Sequence, residues 1–241
     1  MKRLIQRFLR SCGLNVIRSN HPGARYVDHV PGTLLDHVLL QVFRDLRGVT
    51  FLQIGANDGV RNDPLYHWIR DCAWSGCMVE PMPDFAARLR ELHQQRPQIQ
   101  IVEAAVAITP GDPRLYRIDP ARQNLPSWAS GLATLDHARA VEAARSLGLG
   151  PDALVAQSIP LITPRDLLQH AVDPSVIVID TEGLDIQLAG ALLDEGCTPR
   201  VLHFEHACVA PTEWWAFLNR LRQLGYEFGT WGPDTTAFRP A

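Results

Sequence analysis

Residues 51–59 read FLQIGANDG, and this stretch decides the fold. Phe51, Leu52, Gln53 and Ile54 form a strand that runs straight into Gly55, and a second glycine follows at Gly59. A buried strand ending in a glycine turn exposes backbone at the carboxyl edge of a parallel sheet, where a cofactor can approach it closely. A dinucleotide fingerprint starting at Gly55 needs glycines at positions 57 and 60, but these are Asn57 and Val60, so the glycine that admits a pyrophosphate is missing. The polar loop Gly55-Ala56-Asn57-Asp58-Gly59 suits a ligand with an amino-acid end and no phosphate. Asp58 either accepts from that ligand's ammonium or caps the turn.

Working outward, strands and helices alternate. Asp63-Pro64 supplies an N-cap and a proline at the first helical position, and Leu65, Trp68, Ile69 and Cys72 mark the buried face of the helix. Residues 76–80 read as a second strand and 83–95 as its helix, with Phe85, Leu89 and Leu92 inward; 99–103 is a third strand. Residues 109–170 are an insertion with short strands at 115–118 and 158–162 and a helix over 135–147, the kind of elaboration in which substrate choice resides. The β-branched run at 176–180 predicts a central strand buried on both faces, and 201–205 predicts the next. YEFGTWGPDTTAF, residues 226–238, predicts a hairpin around Gly232-Pro233-Asp234. Together these predict an α/β fold over 48–241: a Rossmann-like, mostly parallel seven-stranded sheet with helices on both faces and a C-terminal antiparallel hairpin.

Residues 1–47 read as an accessory helical segment. Leu4, Ile5, Phe8 and Leu9 share one helical face and Lys2, Arg3, Arg7 and Arg10 take the rest, which suits docking on the main domain. A basic amphipathic helix also suits weak peripheral contact with the inner face of a membrane. A second apolar periodicity predicts a helix over 34–46.

The 241 residues are enough for one domain with a full core. No apolar run approaches the roughly 20 residues that span a bilayer. The net charge of −3 gives no basic field for nucleic acid and favours a small-molecule or glycan partner. Cys12, Cys72, Cys77, Cys197 and Cys208 lack metal-ribbon spacing and read as reduced core residues; with no secretory signal pattern at the start, the expected location is cytoplasmic.

Glu80 ends the second strand, where a carboxylate can accept from both ribose hydroxyls of a nucleoside, or else cap the helix after it. Pro81 and Met82 can pack an adenine, and Glu103, Ala104 and Ala105 follow the third strand where the adenine end of such a cofactor lies. S-adenosylmethionine, a nucleoside with an amino-acid end, is compatible with all of these.

With these pieces in place, the chain resembles the FkbM methyltransferases over 51–206. The matching segments, in order, are FLQIGANDG, MVEP, VEAAVA, ASGL, IPLITPRDLL, VIVIDTEGLD and VLHFEH. The resemblance implies a class I methyltransferase fold, S-adenosyl-L-methionine as cofactor, and O-methylation of a hydroxyl on a sugar, glycan or secondary metabolite. Two positions depart from it: Val178 stands where many relatives have lysine, and Asp185 where the family has glutamate. N-methyl transfer is an alternative, although Asp180-Thr181-Glu182-Gly183 stands where such enzymes carry an Asn/Asp-Pro-Pro-aromatic segment; a non-catalytic S-adenosylmethionine-binding scaffold is another.

Methyl transfer needs the acceptor held in line and its proton removed. Asp180 and Glu182 follow the fourth strand and Glu205 and His206 end the fifth, so these four are the candidate catalytic residues, with Asp180 also bordering the cofactor. His206 can take a proton near neutrality, with Asp180 or Glu205 orienting it or acting in its place. The alternative is structural: Asp180 and Glu182 cap the turn before Asp185, and Glu205 and His206 hold the loop to Pro211. The same groups suit Mg²⁺ or Mn²⁺, but acidic strand ends are common without metal and no metal ligand is assigned. Ser130 and Gly131, in the ASGL segment, either close over cofactor or acceptor or form an exposed polar loop. His137, His170 and the remaining histidines read as surface residues, and Trp214 and Trp215 as core or a sugar-stacking platform.

Overall fold

The computed structural model describes residues 32–109, 111–122, 125, 126, 129, 131–171 and 173–240. The basic helix expected within 1–31, Cys12 and Ser130 lie outside the described residues. In chain order the elements are α1 (Leu34–Val42), β1 (Thr50–Ile54), α2 (Tyr66–Cys72), β2 (Ser75–Val79), α3 (Pro83–Leu92), β3 (Ile99–Val102), β4 (Ala105–Val106), β5 (Arg114–Ile118), β6 (Ala133–Thr134), α4 (His137–Ser146), β7 (Leu154–Ser158), β8 (Leu161–Ile162), α5 (Pro164–His170), β9 (Val176–Ile179), α6 (Asp185–Asp194), β10 (Val201–Glu205), α7 (Pro211–Gln223), β11 (Glu227–Trp231) and β12 (Asp234–Phe238).

The main sheet has seven strands in the order β11-β12-β10-β9-β1-β2-β3. β3, β2, β1, β9 and β10 are parallel, and only β12 and β11 run against their neighbours. This is the class I methyltransferase order, with the predicted hairpin at one edge. Successive strand residues point to opposite faces, and both faces are buried. Phe51, Val176, Val178 and Val201 enter the core under α1 and α2. Leu52, Ile54, Ile177, Ile179, Leu202 and Phe204 enter the core under α5, α6 and α7. The unbroken apolar runs in β1 and β9 follow from this double burial.

Helix α1 is fixed at both ends of its span. Thr33 and Asp36 form a capping box, and Asp36 also accepts from Trp68 Nε1 at 2.8 Å. The expected helix over 34–46 stops at Val42, yet Leu46 stays fully buried and its carbonyl accepts from Trp74 Nε1 at 2.7 Å. Helix α3 ends at Leu92 rather than at residue 95, because Pro97 disfavours helical backbone just before it.

Two other expectations change. Helix α2 begins at Tyr66, later than Asp63-Pro64 suggested, although Asp63 still holds its approach, accepting from the Leu65 amide at 2.7 Å and from the Tyr66 amide. The single strand expected over 158–162 is divided by Pro160, which has no N–H to continue a ladder. Before it, β7, which overlaps the expected span only at Ser158, joins β5 and β6 in a three-stranded antiparallel sheet; after it, β8 pairs in parallel with β4. That small sheet, with α4 packed on it, is the body of the insertion.

The histidine and cysteine readings also need correction. His93 is buried, and His203 is held by Thr236 Oγ1, 2.9 Å from its Nδ1, so neither is a surface residue. Cys72 and Cys77 are core residues, Cys197 is half-buried and Cys208 is exposed. Among the described residues no helix is long and apolar enough to cross a membrane.

Candidate active site

The carboxyl ends of β1, β2 and β9 and the segment after β3 frame a cavity of about 350 Å³ that the insertion covers. The tightest point is Gly55, at φ 82, where an added Cβ would lie 1.7 Å from the Asp180 carbonyl oxygen. Only glycine allows the turns after β1 and β9 to meet there. Asn57 takes φ 51, its side-chain Oδ1 accepts from the Asp58 amide at 2.8 Å, and Gly131 is pressed so close to its Nδ2 that a Cβ would lie 2.2 Å away.

Gly55, Ala56 and Asn57 line the cavity, while Asp58 and Gly59 do not. Asp58 is engaged elsewhere: its carboxylate accepts from the Val60 and Arg61 amides and from Arg61 Nε at 2.6 Å. Of the two readings offered for Asp58, its placement fits the turn cap. Gly59 packs instead against Leu89.

Glu80 lines the cavity and is 2 % exposed. Its Oε2 accepts from the Asn57 amide at 2.7 Å and its Oε1 from the Met82 amide at 2.9 Å. It therefore braces the glycine loop against the start of α3, and each oxygen keeps a second lone pair. Burial pushes its carboxyl up to about 7, against the pull of the two amides. Pro81, Met82, Ala104 and Ala105 also line the cavity. Glu103 does not; it pairs outside with Arg90 at 2.7 Å.

Two lining groups had no signal in the sequence. Gln53, 3 % exposed, donates from Nε2 to Asp63 Oδ2 at 2.9 Å, and its Oε1 is buried without a partner. Burial raises the Asp63 pKa. Gln53 looked like one more residue of a core strand, and Asp63 like a helix cap. Only the path of the loop between them brings the two together.

At the far end, Asp180, Thr181 and Glu182 line the cavity. Asp180 is open to the cavity but otherwise enclosed. Burial, then the charges of Glu182, Asp185, Glu205 and Asp234, hold its pKa well above the carboxylate range. Burial and Asp185 raise Glu182 as well, while Arg139 opposes them. The turn before α6 is capped by neither Asp180 nor Glu182 but by Asp185, which accepts from the Thr181 amide, Thr181 Oγ1 at 3.0 Å and the Gly183 amide. The shorter side chain at this position thus carries the capping role.

Glu205 stands behind Glu182, outside the cavity wall, with a buried Oε2 that has no partner; burial pushes its carboxyl up to about 7. His206 borders neither this cavity nor the neighbouring one. Its ring stacks on Trp214 at 4.6 Å, and its Nδ1 lies 3.1 Å from Thr235 Oγ1, which also accepts from Trp214 Nε1. The expectation that His206 leads the proton transfer therefore gives way to the structural alternative for that residue. Trp214 serves this stack, while Trp215 is half exposed. Among the described residues, Glu182, Glu205 and Cys208 bring one ligand atom each within 4.8 Å of one another. A thiol is a poor partner for hard cations such as Mg²⁺ or Mn²⁺, which leaves two crowded carboxylates in this set.

This crowding has a measurable sign. A carboxyl whose pKa is raised by folding stabilises the fold below its unfolded value and loses that contribution as pH rises through the folded value. Glu80 and Glu205 both move from an ordinary 4.5 to about 7. Glu205→Gln should therefore gain stability relative to the wild type as pH rises from about 5 to about 8, while the buried His93 and His203, both lowered to about 4, act in the opposite direction below about 6.5 in both proteins. A stability difference between the two proteins that does not grow over this range would contradict the burial described here.

A family model described as "Methyltransferase FkbM domain" matches residues 53–228. Solved structures with a similar fold include a methyltransferase FkbM from Methylobacillus flagellatus KT, at 12% identity and a TM-score of 0.45, covering 98% of this chain and 70% of that one. Precorrin-6y C5,15-methyltransferase from Geobacter metallireducens GS-15 is 11% identical, with a TM-score of 0.43 over 84% of this chain and 86% of that one. Aeropyrum pernix fibrillarin, solved with natively bound S-adenosyl-L-methionine, is 10% identical, with a TM-score of 0.40 over 83% and 71%. No curated protein matches the sequence.

Proposed function

The chain belongs to the FkbM methyltransferase domain family, and from that premise we propose that it transfers a methyl group from S-adenosylmethionine to a hydroxyl of a small molecule or glycan. The observation that supports this reading is a cavity that brings Gly55, Asn57, Glu80, Ala104 and Ala105 together with Asp180 and Glu182.

The lining fits the donor. Gly55 leaves the backbone bare at the turn, and Glu80 keeps lone pairs for ribose hydroxyls. Ala104 and Ala105 leave room for a flat base. The orphan Gln53 Oε1 and the neighbouring Asp63 suit an ammonium. When bound, S-adenosylmethionine supplies a methyl group on a sulfonium that leaves as a neutral thioether. The chain's own part is to hold the acceptor in line and accept its hydroxyl proton on Asp180 or Glu182, whose raised affinity for protons suits them to that task. The cluster of Asp180, Glu182, Asp185, Glu205 and Asp234 would repel a phosphate backbone, which supports an acceptor other than nucleic acid.

Calorimetry with S-adenosylmethionine and with NAD tests the donor assignment. Binding of the first and weak or no binding of the second is expected, because the turn at Gly55 lacks the glycines a pyrophosphate requires. Tight NAD binding without S-adenosylmethionine binding would overturn the reading.

A further inference from the structure

Helix α4 and the sheet β6-β5-β7 enclose a second cavity of about 170 Å³. It shares Leu132, Ala133, Thr134 and Glu182 with the first, so β6 is the partition, and Glu182 is the one acidic residue bordering both. Glu182 is held at this junction in a costly conformation, φ 57, which side-chain-bearing residues rarely adopt. The next residue, Gly183, lies under the Arg139 guanidinium, so close that a Cβ would sit 2.6 Å from Cζ, and Arg139 also donates to the Cys208 carbonyl at 2.6 Å. An arginine of the insertion thus ties α4 to the turn that presents Glu182.

We propose that this second cavity is the acceptor site and takes a single uncharged, hydroxyl-bearing ring, its reactive hydroxyl reaching past Glu182 into the first cavity, where Asp180 stands. The proposal rests on the methyltransferase reading and deepens it. The volume, about half that of the first cavity, suits one ring and not an extended chain. Ala140, Ala143, Leu132 and Leu154 give it apolar walls for a ring face. Its charged groups balance: Arg117 and Arg139 against Glu142 and Glu182, with Arg117 already paired to Asp84 at 2.8 Å. An anionic ring would face Glu142, Glu182 and the carboxylates behind them. Tyr116 and Thr134 also line it, and each carries a hydroxyl that can hydrogen-bond a ring or hydroxyl oxygen.

The test uses the full chain with ¹³C-labelled alanine methyls, since alanines line both cavities. S-adenosylhomocysteine should shift Ala56, Ala104 and Ala105; if it shifts none of them, the donor reading itself fails. On the loaded protein, methyl glucoside and phenol at millimolar concentration should then give saturable shifts at Ala140 and Ala143, and benzoate should give none. Ala143→Phe, at a half-buried position on α4, should weaken that probe binding at least about tenfold while the S-adenosylhomocysteine shifts persist. Probe shifts confined to Ala56, Ala104 and Ala105, no saturable shift at Ala140 and Ala143, or equal binding of benzoate would each overturn the proposal, and the wild-type map decides even if the variant does not fold.

Discussion

Asp180→Asn should lower the rate of methyl transfer by about 10²- to 10⁴-fold while changing S-adenosylmethionine affinity by less than about threefold. Asp180 lines the cavity beside Glu182, at the end proposed for the acceptor, and burial and four neighbouring carboxylates raise its pKa. A raised pKa makes the carboxylate, once ionised, a stronger base. Asparagine keeps the shape and cannot take the proton. Because the substitution also removes one negative charge from the crowd, the fold should be as stable as before or more so, which separates a chemical loss from unfolding. The acidic limb of the pH–rate profile should change with it. His206→Ala is the control: the ring lies on Trp214 and beside Thr235, outside both cavities, so its loss should lower the rate by less than about tenfold. Near-normal turnover in Asp180→Asn together with a collapse in His206→Ala would reverse the assignment.

The second large effect is expected at Glu80, where affinity and stability should fall together. Glu80→Ala should weaken S-adenosylmethionine binding by about 2 to 3 kcal/mol, roughly 30- to 150-fold, through loss of hydrogen bonds to a charged group. The sequence alone suggested a choice between a ribose ligand and a helix cap. The structure shows the bracing of Asn57 and Met82 directly, and it leaves lone pairs free on the cavity side. Removing the carboxylate strands two buried amides, so stability should also fall by about 1 to 3 kcal/mol for each amide left unsatisfied. Glu80→Gln separates the roles, since it keeps one acceptor for the brace but loses the charge; a loss of affinity near tenfold with most of the stability retained is expected. In the wild type, affinity should also decline as pH drops below about 7, where the free carboxyl takes up a proton, and this dependence should vanish in Glu80→Gln. Unchanged affinity in a well-folded Glu80→Gln would leave Glu80 as a brace alone.

Local sequence was enough to place the main sheet, the hairpin at its edge and the loops that carry chemistry. These follow from short-range physics: two-residue alternation and β-branched runs make strands, and proline and glycine punctuate them. The Asn57–Val60 pair excluded the pyrophosphate turn without any coordinates. Where local rules failed, a neighbour in the chain gave the reason, as Pro160 did for the divided strand and Pro97 for the shortened α3. Tertiary structure alone decided which polar groups meet. Asp58 and Asp180 look equivalent in sequence, each following a buried strand, yet one closes on Arg61 and the other opens into the cavity among four carboxylates. Gln53 with Asp63, Arg139 with Gly183, and Arg117 with Asp84 are pairs whose meeting depends on loop paths and on how the insertion docks. Side-chain direction and burial at a strand's end are set by packing from elements distant in the chain, and no periodicity of the local sequence encodes that packing.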